Sequence, residues 1–183
     1  HSFSLGMVKF AGDLNALRRA VEELQKSVET DVYVNQIPSV AKKMKAGGFY
    51  FHASEDPPEV RERFFRFLRE TGVEAEIVVA RKIPDVFVGK HNGKDSEFYA
   101  DLLSHLLKTK LRFGQKVVLH IAARGHTTRA TTFNLGLKKA MERSSKKWGP
   151  STLTSHVVFD VQTPRTEALL NVADYICWSV QRV

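Results

Sequence analysis

Two β-branched, apolar runs late in the chain, KVVLHIAA (116–123) and TSHVVFDVQ (154–162), constrain the fold more than any other feature. A helix-length stretch, Arg129 to Lys147, separates them, and a second follows the later run. Strands joined by a dozen or more helical residues pair in parallel, through a right-handed crossover, and this makes a layered α/β arrangement the expected class. KVVLHIAA is nearly all apolar, so it is expected to be a central strand covered on both faces.

The rest of the chain continues the alternation. FSLGMVKF reads as a strand, and AGD as the turn after it. Asp13 can cap a helix over Leu14–Glu29, whose Leu14, Leu17, Val21, Leu24 and Val28 recur every three or four residues. VNQIPSVAKKMKAGG allows a short helix opened by Pro38 and ended by Gly47 and Gly48, and FYFHA (49–53) reads as a strand. Asp56, Pro57, Pro58 and Glu59 form a helix start with Asp56 as its cap, and that helix runs to about Glu70. VEAEIVVARK is a further strand, IPDVFVGKHNGKD a loop or irregular edge, and Ser96–Lys110 an amphipathic helix. The last helix takes Thr163 as cap and Pro164 as its first residue. The pattern is thus about five strands and five helices in a single domain over residues 1–183.

Charge and cysteine content narrow the partners. The 28 Lys and Arg exceed the 20 Asp and Glu by eight, which favours contact with polyanions. No apolar run is long enough to cross a bilayer, and the only cysteine, Cys177, permits neither an internal disulfide nor a Cys-rich zinc site. A soluble, cytoplasmic protein is expected, with a protein partner or self-association left open.

The final segment, LLNVADYICWSVQRV, raises a specific question. At about 100° per residue, Leu169, Val172, Ala173, Ile176, Val180 and Val183 share one face. Asp174 lies beside it on a flank with Glu167, Asn171, Trp178 and Gln181. Two readings of Asp174 stand at this level: an exposed helix margin, and a ligand for a hard cation such as magnesium. Arg124, His126 and Arg129 follow the KVVLHIAA strand at the edge where open α/β sheets bind ligands, so they are candidates for phosphate contact, and a solvated loop is the equal alternative. His52 and His120, each in a strand, read as hydrogen-bonded structural histidines, with a general base as the alternative.

FHASEDPPEVRERFF, VVARK, EFYADLLSHLL, LHIAARG and VVFDVQTPRTEALLNVADYICWSVQRV together resemble the family of domains of unknown function numbered 3800, across essentially the whole chain. Ala173-Asp174-Tyr175 is the core of the most specific piece. The resemblance implies a ribonuclease H-like fold, a mixed sheet of about five strands flanked by helices. It also implies that a first strand carrying Asp-Glu-Ser-Gly would precede residue 1, and that the last helix would continue past residue 183. In such sites, carboxylates hold two magnesium ions on the scissile phosphate. Asp174, Asp160 and Glu167 are the catalytic candidates in this chain, with Asp174 as the metal ligand. Glu167 and Asp174 stand about 10 Å apart along the helix axis, and Asp160 reads equally well as a strand-end residue. Relatives often carry a glutamate where this chain has Ala123, so an acid of the site is expected to be lost there. The implied activity is a magnesium-dependent nuclease or phosphoryl-transfer enzyme, with a role in bacterial defence. The alternatives are a non-catalytic module of the same fold that binds nucleic acid or protein, and a structural subunit whose basic surface only aids solubility.

Overall fold

The structure is a computed structural model that describes residues 2–111, 116–124, 128–149 and 156–182. Its described residues form a mixed α/β protein of seven helices and two two-stranded sheets. The elements in chain order are β1 (Ser2–Phe10), α1 (Leu14–Thr30), α2 (Pro38–Lys45), α3 (Pro58–Glu70), β2 (Val73–Arg81), α4 (Pro84–His91), α5 (Asp95–Leu107), β3 (Lys116–Ala122), α6 (Ala130–Trp148), β4 (His156–Gln162) and α7 (Leu170–Val180). β1 pairs with β2, and β3 pairs with β4. The α/β class is as expected, while a sheet of about five strands is not seen among the described residues.

The chain gathers into two compact units. Unit I comprises His1–Leu5 and Glu76–Gln162; unit II comprises Gly6–Ala75 and Thr163–Val183. In sequence, unit I carries 15 Lys and Arg against 7 Asp and Glu, whereas unit II carries 13 of each. The whole excess of eight positive charges therefore belongs to unit I.

In unit I, β3 and β4 are parallel, with Leu119 opposite Phe159 and His120 opposite Asp160. Leu119, Ile121, Val157 and Phe159 pack against a core of Tyr99, Leu103, Leu107, Leu111, Phe133 and Ala140 from α5, the residues after it and α6. The other face carries Lys116, Val118, His120 and Ala122, all exposed. This corrects the expectation of a central strand covered on both faces. Side chains alternate along a strand, so Lys116 and His120 share one face, and β3 buries only the other. His120 is accordingly exposed rather than internal.

IPDVFVGKHNGKD, expected as a loop, contains α4. Pro84 occupies the first turn with Asp85 behind it, and Asn92, in the left-handed region at φ 52°, ends the helix. Gly93 N–H then donates to the Phe87 carbonyl at 3.2 Å. Helix α5 is the most buried element, and Gly136 of α6 lies against it. A Cβ at that position would meet Leu103 Cδ2 at 3.1 Å and the Ala100 carbonyl oxygen at 3.2 Å.

In unit II, α1, α3 and α7 enclose Val21, Val28, Val60, Phe64, Val172 and Tyr175, none of them exposed, together with Phe51 at 1%. Asp13 caps α1 as expected, by accepting from Asn15 N–H at 2.8 Å. The last helix starts later than expected. Residues 164–166 form a separate turn closed on the Thr163 carbonyl, and the Glu167 carboxylate accepts the Leu169 N–H at 3.1 Å before α7 begins at Leu170.

Candidate functional site

Unit II answers the question posed by Asp174. The segment Phe49–Ala53 is extended in composition but is not a strand, a second correction. Backbone groups removed from water need partners, and here side chains supply them. Glu29 Oε1 accepts from Phe49 N–H at 2.9 Å, and Lys43 Nζ donates to the Tyr50 carbonyl at 3.1 Å. Asp56 Oδ2 accepts from His52 N–H at 2.7 Å, and Asp174 Oδ2 accepts from Ala53 N–H at 2.8 Å. Arg61 Nη1 donates to the Ala53 carbonyl at 3.2 Å. Five charged side chains thus take the place of a neighbouring strand, which leaves Phe49, Phe51 and Ala53 free to sink into the core.

Asp56 anchors this clamp. Its side chain is 1% exposed and forms an ion pair at 2.7 Å with Lys43, itself 7% exposed. Tyr175 donates its hydroxyl to Asp56 Oδ2 at 2.7 Å; burial first, and then the Asp56 charge, push the Tyr175 pKa far up, so the phenol stays protonated. Asp56 was expected to cap α3. Pro57 holds the cap position instead, because the Asp56 carboxylate is committed to Lys43, His52 and Tyr175.

Asp174 is 38% exposed, so it is neither a bulk-solvent residue nor an interior one. Its Oδ2 is 3.8 Å from His52 Nδ1, which also meets Ser54 Oγ at 3.1 Å. Its helical flank is less exposed than expected: Asn171 is fully buried and Glu167 nearly so. Both Glu167 oxygens are engaged by Arg18, at 2.8–3.1 Å, and this contact raises the Arg18 pKa. Cys177 has its thiol pushed up by burial and then by Asp174, which keeps it protonated.

In unit I, Asp160 lies on the open face of β4. Its Oδ2 meets His120 Nδ1 at 2.9 Å, and Gln162 Nε2 lies 3.0 Å from each oxygen. The Gln162 hydrogen bonds lower the Asp160 pKa most; desolvation opposes them, and the His120 contact adds to the lowering. Ala123 is exposed, and its N–H donates to the Gln162 carbonyl at 2.8 Å. Arg124 donates its N–H to Thr128 Oγ1 at 3.0 Å and sets its guanidinium 4.2 Å from the centre of the Phe3 ring. Arg129 caps α6, and its carbonyl accepts from Thr132 and Phe133. His126 lies outside the described residues.

The acids named from sequence therefore sit in separate contacts. Glu167 is held by Arg18, Asp160 by Gln162 and His120, and Asp174 by the Ala53 amide. Among the described residues no three His, Cys, Asp or Glu gather in a way that could hold a metal ion. Both Glu167 oxygens are engaged by Arg18 and both Asp160 oxygens by Gln162, whereas among the described residues the Asp174 contacts are made by Oδ2. The clamp itself was missed at the sequence level. Its one signal was the frequency of charged residues, Glu29, Lys43, Asp56, Arg61 and Asp174, at positions flanking apolar ones.

Comparison with family models, with curated proteins and with solved structures gave no match to the chain. Among the described residues no helix is long and apolar enough to cross a membrane.

Proposed function

We propose that this chain is a nucleic-acid-binding protein with a ribonuclease H-like arrangement, of the kind found in the family of domains of unknown function numbered 3800. The observation that carries the reading is the uneven charge: unit I holds the entire excess of eight positive charges, and unit II is neutral. Solubility alone has no need to confine charge to one unit, whereas a polyanion partner draws binding free energy from clustered cations through counterion release. A filter-binding titration tests this. Retention of single-stranded or duplex nucleic acid at low salt, lost steeply as salt rises, is the expected result, and no retention at low salt would leave the basic unit without this role.

Magnesium-dependent phosphodiester cleavage is the second reading, and the partial exposure of Asp174 favours it. When bound, magnesium would acidify an attacking water and neutralise a leaving oxygen. Asp174 is the residue of this chain that would contribute to holding it. A gel assay with and without millimolar magnesium, on the parent chain and on Asp174→Asn, separates the two readings. Cleavage that needs magnesium and disappears in Asp174→Asn supports the enzyme; binding without cleavage supports the binding protein.

A further inference from the structure

We infer that nucleic acid docks on unit I along the flank where α4, α5 and α6 meet, with Lys90, Lys139, Arg143 and Lys146 contacting successive backbone phosphates. The inference rests on the nucleic-acid reading above and adds the surface, which is distinct from the Arg124 and Arg129 segment at the strand ends.

Asp101 of α5 organises this flank. Its side chain is 8% exposed and accepts from Arg143 Nη2 at 2.7 Å and Lys90 Nζ at 3.1 Å, with Lys139 Nζ at 3.9 Å. Asp101 is shared by three cations, and Glu97, which also acts on Lys139, pairs with Lys94, so four cations face two carboxylates and a surplus of two positive charges remains. A cluster built only for stability needs no such surplus, because like charges held together repel. Asp101 instead fixes the cations in position, while Lys90, at 57% exposure, and partly exposed Lys139 and Arg143 reach solvent. Along α6, Lys139, Arg143 and Lys146 are spaced by four and three residues, so they form one stripe with steps of about 5–6 Å. The stripe extends away from the Asp101 anchor to Lys146, which is exposed. His91 and His105, the neighbouring imidazoles, have pKa values lowered first by burial; the Asp101 charge opposes this, and Lys90 and Lys139 at His91 and Arg143 at His105 add to it, which favours the neutral imidazole.

A phosphodiester backbone fits this better than a lipid surface. Membrane-surface helices combine basic residues with aromatic anchors. Helix α4 exposes Val86 and Val88, but Phe87 is packed against His91 and Phe98.

Fluorescence anisotropy with a labelled single-stranded RNA, a labelled DNA duplex and phosphatidylserine vesicles, each over a salt series, tests the assignment. Lys90→Gln/Lys139→Gln keeps the Arg143–Asp101 pair. The expected result is a loss of nucleic-acid affinity of about tenfold and a salt slope shallower by roughly 1.4–1.8, one phosphate contact per lysine. Lys146→Gln alone, at an exposed position, is expected to reduce the slope by about half as much. Lys26→Gln/Arg69→Gln in unit II makes the same change in net charge and is expected to leave the slope unchanged. Equal losses in both double variants, or none in either, would overturn the docking surface while nucleic-acid binding itself stands. Parent protein that binds neither RNA nor DNA would remove the functional reading along with the surface, and binding to vesicles alone would replace it with a membrane role.

Discussion

At the scale of single residues, the charged clamp in unit II makes the sharpest predictions. Lys43 and Asp56 are both nearly inaccessible, and removing one member of a buried pair leaves the other charge uncompensated. Lys43→Ala is therefore expected to destabilise the protein by about 3–5 kcal/mol in a denaturant titration. Asp174 behaves differently because it is partly exposed and its described hydrogen bond is to the Ala53 N–H. Asparagine retains an acceptor for that N–H, so Asp174→Asn should cost less than about 1 kcal/mol, while Asp174→Ala should cost about 1–2 kcal/mol. A result in which the two variants are equally destabilised would show that the charge matters, and not the hydrogen bond. This ordering also protects the cleavage assay from a trivial outcome, since Asp174→Asn should be folded.

At the scale of elements, α5 and α6 pack against each other tightly at Gly136. Gly136→Val would place two further carbons against Leu103 and the Ala100 carbonyl, where a single Cβ is already crowded. Overpacking of this kind is expected to cost about 2–3 kcal/mol, read as a lower thermal midpoint. The sequence made such elements legible wherever local chemistry decided them. The Leu14 to Val28 periodicity and the Asp13 cap gave α1, and β-branched runs gave β2, β3 and β4. Legibility failed where tertiary partners decided. FYFHA has strand composition, but Glu29, Lys43, Asp56, Arg61 and Asp174 satisfy its backbone from distant points in the chain, and no window of sequence contains them all. Helix α4 was hidden for the opposite reason: Val86, Val88 and Gly89 are poor helix formers, and its Pro-Asp start and Asn-Gly stop had to be read without a supporting apolar stripe. Of the candidate site, Asp174 was recognisable as anomalous, but its partner was a backbone amide 121 residues away.

At the scale of the whole molecule, acid should unfold the protein in a definite range. Burial would raise the Asp101 carboxyl, but hydrogen bonds from Arg143 and Lys90 overcome it and hold the pKa at about 2. Asp31, bonded first by Arg63 and then by the Val34 and Tyr33 amides, is also held at about 2. Both folded-state values lie below the unfolded value, so their stabilisation is complete above about pH 4 and is lost as the pH falls toward 2. Thermal midpoints measured between pH 5 and pH 2 should drop through that interval, and Asp101→Asn should flatten the drop. The division of the chain bears on synthesis as well. Unit II draws its residues from Gly6–Ala75 and from Thr163–Val183, with unit I made in between. Ribosomes build chains from the N-terminus, and long-range contacts form only when both partners exist. Until the last helix emerges, Phe51 and Phe64 lack Tyr175, and the Ala53 amide lacks Asp174. The Gly6–Ala75 part of unit II therefore waits, with aromatic surface exposed, for Thr163–Val183 to leave the ribosome, and a nascent chain stalled before Thr163 should be a preferred client for chaperones.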